Sequence, residues 1–113
     1  LSLYRKAWLV ASASIAEGWG MTLTEAAGCG TPSVATDIAG HRDSVSPNLS
    51  GLLSRSPQEF TEQIVAVLTD QSLRDRLSAG ALQHAATLTW TATALGTFTP
   101  LAEDARRRHR VRR

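Results

Sequence analysis

The order of apolar and polar positions divides the chain into short apolar runs, each followed by a helical stripe. Trp8 to Ser12 (WLVAS) is a continuous apolar run bounded by small residues. It is too short for a helix and predicts a strand buried on both faces. Residues 2–7 ahead of it read as the end of a short helix. After a loop over Ala13 to Gly18, the spacing predicts a helix from Trp19 or Gly20 to Gly28. Met21, Leu23, Ala26 and Ala27 are its inward positions, and Gly28, Gly30 and Pro32 stop it. Pro32 to Asp37 predicts a second strand. Ile38 to Arg42 predicts a loop followed by one helical turn, and Gly51 to Ser54 a third strand after a turn signal. Ser56-Pro57-Gln58-Glu59 opens a helix with an N-cap serine, a proline at the first position and a glutamate that completes a capping box. Phe60, Ile64, Val67 and Leu68 form its apolar stripe. Asp70 to Ala86 and Trp90 to Arg107 predict two more helices. This order predicts an α/β fold with a parallel sheet. An interior strand needs neighbours on both sides, so WLVAS leads us to expect sheet partners upstream or from another chain.

Composition narrows the class. The chain has 113 residues, 42% of them hydrophobic and 19% charged, which suits one small globular domain. One cysteine excludes an internal disulfide framework and offers no metal-ligand spacing, so neither metal nor cofactor is expected. No apolar run reaches the roughly 18 residues of a membrane span, and the first residues lack the layout of a secretory signal. The expected address is the cytoplasm. The net charge is +2, yet six arginines (Arg106, Arg107, Arg108, Arg110, Arg112 and Arg113) stand in the last eight residues. The rest of the chain carries more acidic than basic side chains. The charge therefore describes a tail, with attraction to an anionic membrane surface at the inner face as its candidate use. No recognition motif accompanies it, so no specific nucleic-acid binding is expected.

The chemistry concentrates in Glu17 to Pro32 (EGWGMTLTEAAGCGTP). This segment follows a strand and so lies at the carboxyl end of the sheet, where ligands of open α/β sheets bind. Gly18 and Gly20 flank Trp19 and leave the backbone bare. The amides near Gly20, Met21, Thr22 and Leu23 start a helix and have no intrahelical acceptor, which makes an anion site suited to a diphosphate. Glu17 precedes that site. Glu25 lies roughly 7 to 8 Å along the axis from Gly20 and leans back toward it. Either carboxylate would repel a phosphate, but each can accept hydrogen bonds from vicinal hydroxyls. An anion between two hydroxyl-binding acids matches ribose, diphosphate and sugar: a nucleoside diphosphate sugar.

This segment resembles the E-x7-E signature of retaining GT-B glycosyltransferases of the large group 1 (GT4-like) family, commonly E-G-F-G-x-x-x-x-E-A-x-x-x-G-x-P. PSVATDIAG resembles the strand and loop that follow it. NLSGLLS resembles the family's glycine turn and strand, and LTWTATA its late S-W-x-x-x-A helix start. The similarity runs from about Leu1 to Leu95. It implies a partial Rossmann-like parallel sheet, the donor-binding C-terminal lobe of the GT-B fold, followed by C-terminal helices. The implied division is residues 1–98 for this partial lobe and 99–113 for the helix end and arginine-rich tail. Glu17 is implied as the catalytic-site acid on the reacting hexose. Gly18, Trp19 and Gly20 would lie against the sugar, Met21 and Thr22 would bind the diphosphate, and Glu25 the ribose diol. The implied reaction moves a hexose to a carbohydrate or lipid-linked acceptor with retention.

The departures shape the expectation. The family's upstream Arg/Lys pair and its acceptor-binding N-terminal lobe have no counterpart in these residues. The chain alone is expected to bind donor weakly and transfer little or nothing. A noncatalytic nucleotide-sugar-binding module that needs a partner lobe is the alternative. The plain readings stay open: Glu17 and Glu25 as solvated carboxylates beside a helix dipole, and Trp19 as packing. His41 is expected as an exposed loop residue, Arg42 as a candidate phosphate neighbour, and Asp70, Arg74, Asp75 and Arg76 as a solvated helix face.

Overall fold

A computed structural model describes residues 1–111, with side chains described through residue 109. The elements in chain order are α1 (Ser2–Lys6), β1 (Val10–Ser12), α2 (Met21–Gly28), β2 (Ser33–Thr36) and α3 (Ala39–Ser44). They continue with β3 (Gly51–Ser54), α4 (Pro57–Thr69), α5 (Gln71–Ala85) and α6 (Trp90–Val111). The three strands form one parallel sheet in the order β1-β2-β3, with Val10 opposite Ser33 and Val34 opposite Leu52. This is the partial Rossmann-like sheet with C-terminal helices that the sequence led us to expect.

Adjacent residues of β2 build two separate cores, because successive strand side chains point to opposite faces. Ala35 packs with Leu23 and Val45 on one face, beside Val10 and Leu53. Val34 packs with Val67 and Leu77 on the other, beside Leu52, Phe60 and Ile64. Helices α2 and α3 thus cover one side of the sheet, and α4 and α5 the other.

Two expectations about packing change. The first strand is shorter than WLVAS and stands at the sheet edge, with no strand on its outer side among the described residues. Ala11 is therefore exposed, and Trp8 leaves the strand to lie under the Arg74 guanidinium, 4.3 Å from the ring centroid. Met21 faces solvent, because Leu23, Ala26 and Ala27 define the inward stripe and Met21 lies about 200° from Leu23 on the helix. Of the predicted solvated face, Asp70, Asp75 and Arg76 are exposed, and Arg74 is half-buried. Asp70 Oδ1 caps the helix by accepting from Leu73 N at 3.0 Å. Arg74 donates to the carbonyls of Val67 and Leu68, and Arg76 to that of Asn48.

Helix ends follow local chemistry. Ser56 Oγ accepts from Glu59 N at 3.1 Å, and Glu59 Oε2 accepts from Arg55 N at 2.6 Å, one residue before the position a capping box would use. At the end of α2, Gly30 takes φ +76°, Thr31 N reaches Ala26 O and Gly30 N reaches Ala27 O, both at 2.9 Å. That is a Schellman closure, in which glycine accepts the left-handed turn without a Cβ penalty. Helix α6 continues unbroken through residue 98 with Pro100 inside it, and its side chains are almost all exposed. Its start, with Trp90 and Thr93, borders a groove beside α2. Arg106, Arg107 and Arg108 are exposed on it, Arg108 pairing with Asp104 at 2.7 Å. Arg112 and Arg113 lie outside the described residues.

Candidate functional site

The turn Glu17–Gly20 leads from the end of β1 into α2. Gly20 is the N-cap of α2, with φ +86° and no side-chain cap. A left-handed N-cap has no hydroxyl or carboxylate to fold back over the helix start. The amides of Met21 and Thr22 accordingly meet no acceptor among the described residues. Leu23 differs from the expectation: its N–H donates to Gly20 O at 3.0 Å, a tightened first turn that removes it from the open set. The site thus keeps two free donors at the positive end of a helix dipole.

What holds this turn is α3. A Cβ on Gly40 would lie 2.4 Å from Glu17 O and 3.0 Å from the Gly18 carbonyl carbon, so the Glu17–Gly18 peptide rests directly on a bare backbone. A Cβ on Gly20 would lie 3.2 Å from His41 Cδ2 and from Ser44 Oγ. His41 is thus completely buried beneath the turn, not exposed in a loop. Burial is possible because each ring nitrogen finds a partner: Nδ1 lies 2.8 Å from Thr36 O, and Nε2 3.2 Å from Ser12 Oγ.

The two acids take separate partners. Glu17 is exposed, and its Oε1 accepts from Ser14 Oγ at 3.0 Å. Glu25 is exposed and accepts from the Tyr4 hydroxyl at 3.3 Å. Removal from water first, and the Glu25 carboxylate second, push the Tyr4 hydroxyl above its ordinary value. Trp19, Met21 and Glu25 share a groove of about 610 Å³, lined also by Leu88 and Trp90. A larger cleft of about 780 Å³ opens at the carboxyl ends of all three strands, lined by Ser14, Ile15, Thr36 and Phe60 among others. Ser14, the partner of Glu17, faces that cleft. Glu25 lines the groove, whereas Glu17 lines neither cavity, so the two acids do not share one. Gly18 has open space beside its Cα, and Thr22 is exposed on the first turn.

A family model for glycosyl transferases group 1 matches residues 1–84. The chain belongs to this family. Among its relatives, the D-inositol 3-phosphate glycosyltransferase of Frankia alni is 40% identical over 95 residues, which cover 82% of this chain and 23% of that protein. D-inositol 3-phosphate glycosyltransferase 1 of Catenulispora acidiphila is 42% identical over 89 residues, covering 77% and 21%. The corresponding protein of Thermobispora bispora is 35% identical over 110 residues, covering 96% and 26%. The chain spans about a quarter of the length of these relatives. Group 1 membership covers α1 through most of α5, so the open helix start and both acids lie inside the matched region.

Several residues of this region escaped sequence reasoning. Tyr4 and Ser14 acquire their roles through contacts with the acids, and Gly40 through backbone approach. Ser12, a hydroxyl at the end of an apolar run, was the one available hint of a buried polar partner. Arg42 does not stand free for a phosphate: its Nε donates to Asp37 Oδ1 at 2.6 Å, and Arg55 reaches Oδ2 at 3.3 Å. The hydrogen bond from Arg42 is the main cause that holds the Asp37 carboxyl below its ordinary range, and Asp37 in turn raises Arg42. No group of three or more His, Cys, Asp or Glu is placed to hold a metal ion among the described residues. No helix among them is long and apolar enough to cross a membrane.

Proposed function

We propose that these residues supply the donor-binding part of a glycosyltransferase that moves a hexose from a nucleoside diphosphate sugar to an acceptor with retention of configuration. The observation that carries this reading is the open start of α2, two free amides that lie between Glu17 and Glu25 in sequence, in a chain of this family. Glu17 would accept from a hydroxyl of the reacting sugar, with Gly18, Trp19 and Gly20 along its face. The Met21 and Thr22 amides would receive the diphosphate, and Glu25 the ribose diol. Charge that develops on the departing diphosphate would then meet fixed dipoles, which stabilise it without reorganisation. The diphosphate oxygen would take the acceptor proton on the donor's front face. D-inositol 3-phosphate, which the relatives' names carry, is the acceptor we propose for the full activity.

The alternative reading is a noncatalytic nucleotide-sugar-binding module completed by a partner lobe. In either reading residues 1–98 would hold the donor part, and residues 99–113 would serve as a basic extension toward an anionic membrane surface from the cytoplasm. Calorimetric titration with a panel of nucleoside diphosphates and their sugars tests the shared claim. Saturable heat is expected for one nucleotide series at millimolar ligand. Its absence from a chain shown to be folded would overturn the donor site.

A further inference from the structure

We infer that His41 is a positioning residue for Glu17, acting through a hydrogen-bonded relay of Ser12 and Ser14. The inference rests on the reading of Glu17 as the sugar-binding acid. Four groups from three parts of the chain stand in line. Ser14 Oγ donates to Glu17 Oε1 at 3.0 Å, Ser12 Oγ lies 3.3 Å from Ser14 Oγ, and His41 Nε2 lies 3.2 Å from Ser12 Oγ. The far end is anchored on the central strand, where Nδ1 meets Thr36 O at 2.8 Å and Thr36 Oγ1 at 3.1 Å. Thr36 Oγ1 also donates to Ser14 O at 2.5 Å, so the backbone and the side chain of Ser14 are both tied to the same cluster. The relay occupies only one oxygen of Glu17 and leaves Oε2 for a ligand hydroxyl.

Counting hydrogens shows why the chain has direction. A carboxylate and a carbonyl can only accept, and each serine has one hydrogen to give. Ser14 gives its hydrogen to Glu17. The two serines are bonded only if Ser12 gives to Ser14, and Ser12 is then free only to accept from Nε2. The unbroken relay therefore has a hydrogen on His41 Nε2. With hydrogen on Nδ1 alone, Ser12 turns to Nε2 and the link between the serines is lost. The other ionisable groups around α3 are engaged elsewhere or exposed. Asp37 is held by Arg42 and Arg55, Asp43 is exposed, and His84 of α5 reaches Ser44 O at 3.2 Å.

The test uses the 113-residue chain labelled with nitrogen-15. The ring resonances of His41 are separated from those of His84 and His109 by His84→Gln and His109→Gln. Ser14→Ala and Glu17→Gln change side chains outside the core, and amide spectra check that the fold is kept. The relay requires the His41 Nε2 resonance to be that of a hydrogen-bearing nitrogen in the parent chain and in Glu17→Gln, whose amide oxygen still accepts from Ser14, and to move toward that of an acceptor nitrogen in Ser14→Ala. A resonance unmoved in Ser14→Ala overturns it. A second measurement compares affinity for a nucleoside diphosphate with that for its sugar. Ser12→Ala and Ser14→Ala are expected to cut the sugar's advantage about three- to tenfold, leaving the nucleotide alone unaffected, and Ser12→Thr to restore it. Equal losses for both ligands would refute positioning. If Glu17→Ala itself leaves the sugar's advantage intact, the reading of Glu17 fails, while the ring nitrogens still decide the relay.

Discussion

Two helices of this chain begin in opposite ways. Helix α4 starts with Ser56 bonded to the Glu59 amide, Pro57 at the first position and the Glu59 side chain turned back to Arg55 N. Helix α2 starts with a glycine that offers no side chain at all. In α4 Pro57 has no N–H to satisfy and Ser56 takes that of Glu59, so little is left open at its start. In α2 two donors stay open, and stability comes from beneath, from Gly40 and His41 of α3. Local sequence stabilises the first start, and tertiary contact the second. A glycine in that place gives up only roughly a few tenths of a kcal/mol relative to a capping side chain, so the open start costs the fold little.

Four experiments would break or sharpen this contrast. The largest effect is expected for Gly40→Ala, because its new methyl group would meet a backbone carbonyl oxygen at 2.4 Å. The Glu17–Gly18 peptide must move, at a cost of about 2 to 3 kcal/mol, visible as a lower urea midpoint together with weaker nucleotide binding. Next, Glu25→Ala should weaken nucleotide binding about tenfold, or about 1.4 kcal/mol, by calorimetry. Glu17→Ala should weaken chiefly the sugar-bearing ligand. Equal effects of both variants on both ligands would contradict the division between the acids. Ser56→Ala is expected to cost about 1 kcal/mol in unfolding and nothing in ligand affinity. A change in affinity there would mean that the two helix starts are coupled.

The smallest effect concerns Tyr4, the only tyrosine of the chain. Its hydroxyl holds its proton more tightly in the fold, through desolvation first and Glu25 second. A raised native value means that this contribution to stability is complete below the ordinary 10.0 and is lost as pH rises through the elevated native value. In Glu25→Gln the phenolate absorbance should titrate at lower pH than in the parent chain, yet still above 10.0, because desolvation remains. An unmoved titration would remove the Tyr4 contact from the description of Glu25.

The same contrast explains what could be read in advance. Bounds set by local chemistry were legible: β3 at Gly51–Ser54, the Ser56 cap, and the end of α2 at Gly28. So was the presence of a bare backbone between two acids eight positions apart. The burial of His41 was not, because a polar ring on a six-residue helix has no periodic signature. It becomes buriable only when Thr36 and Ser12 arrive from two strands. The outward turn of Met21 was legible in the spacing, since Leu23, Ala26 and Ala27 share one stripe and Met21 lies about 200° from Leu23. The partners of the acids, Tyr4 and Ser14, lie on other elements. Their pairing depends on how those elements dock.

Because Val34 and Ala35 serve opposite layers, β2 tolerates no shift in frame. Deleting one residue there would send each of the two packed interiors the side chains meant for the other.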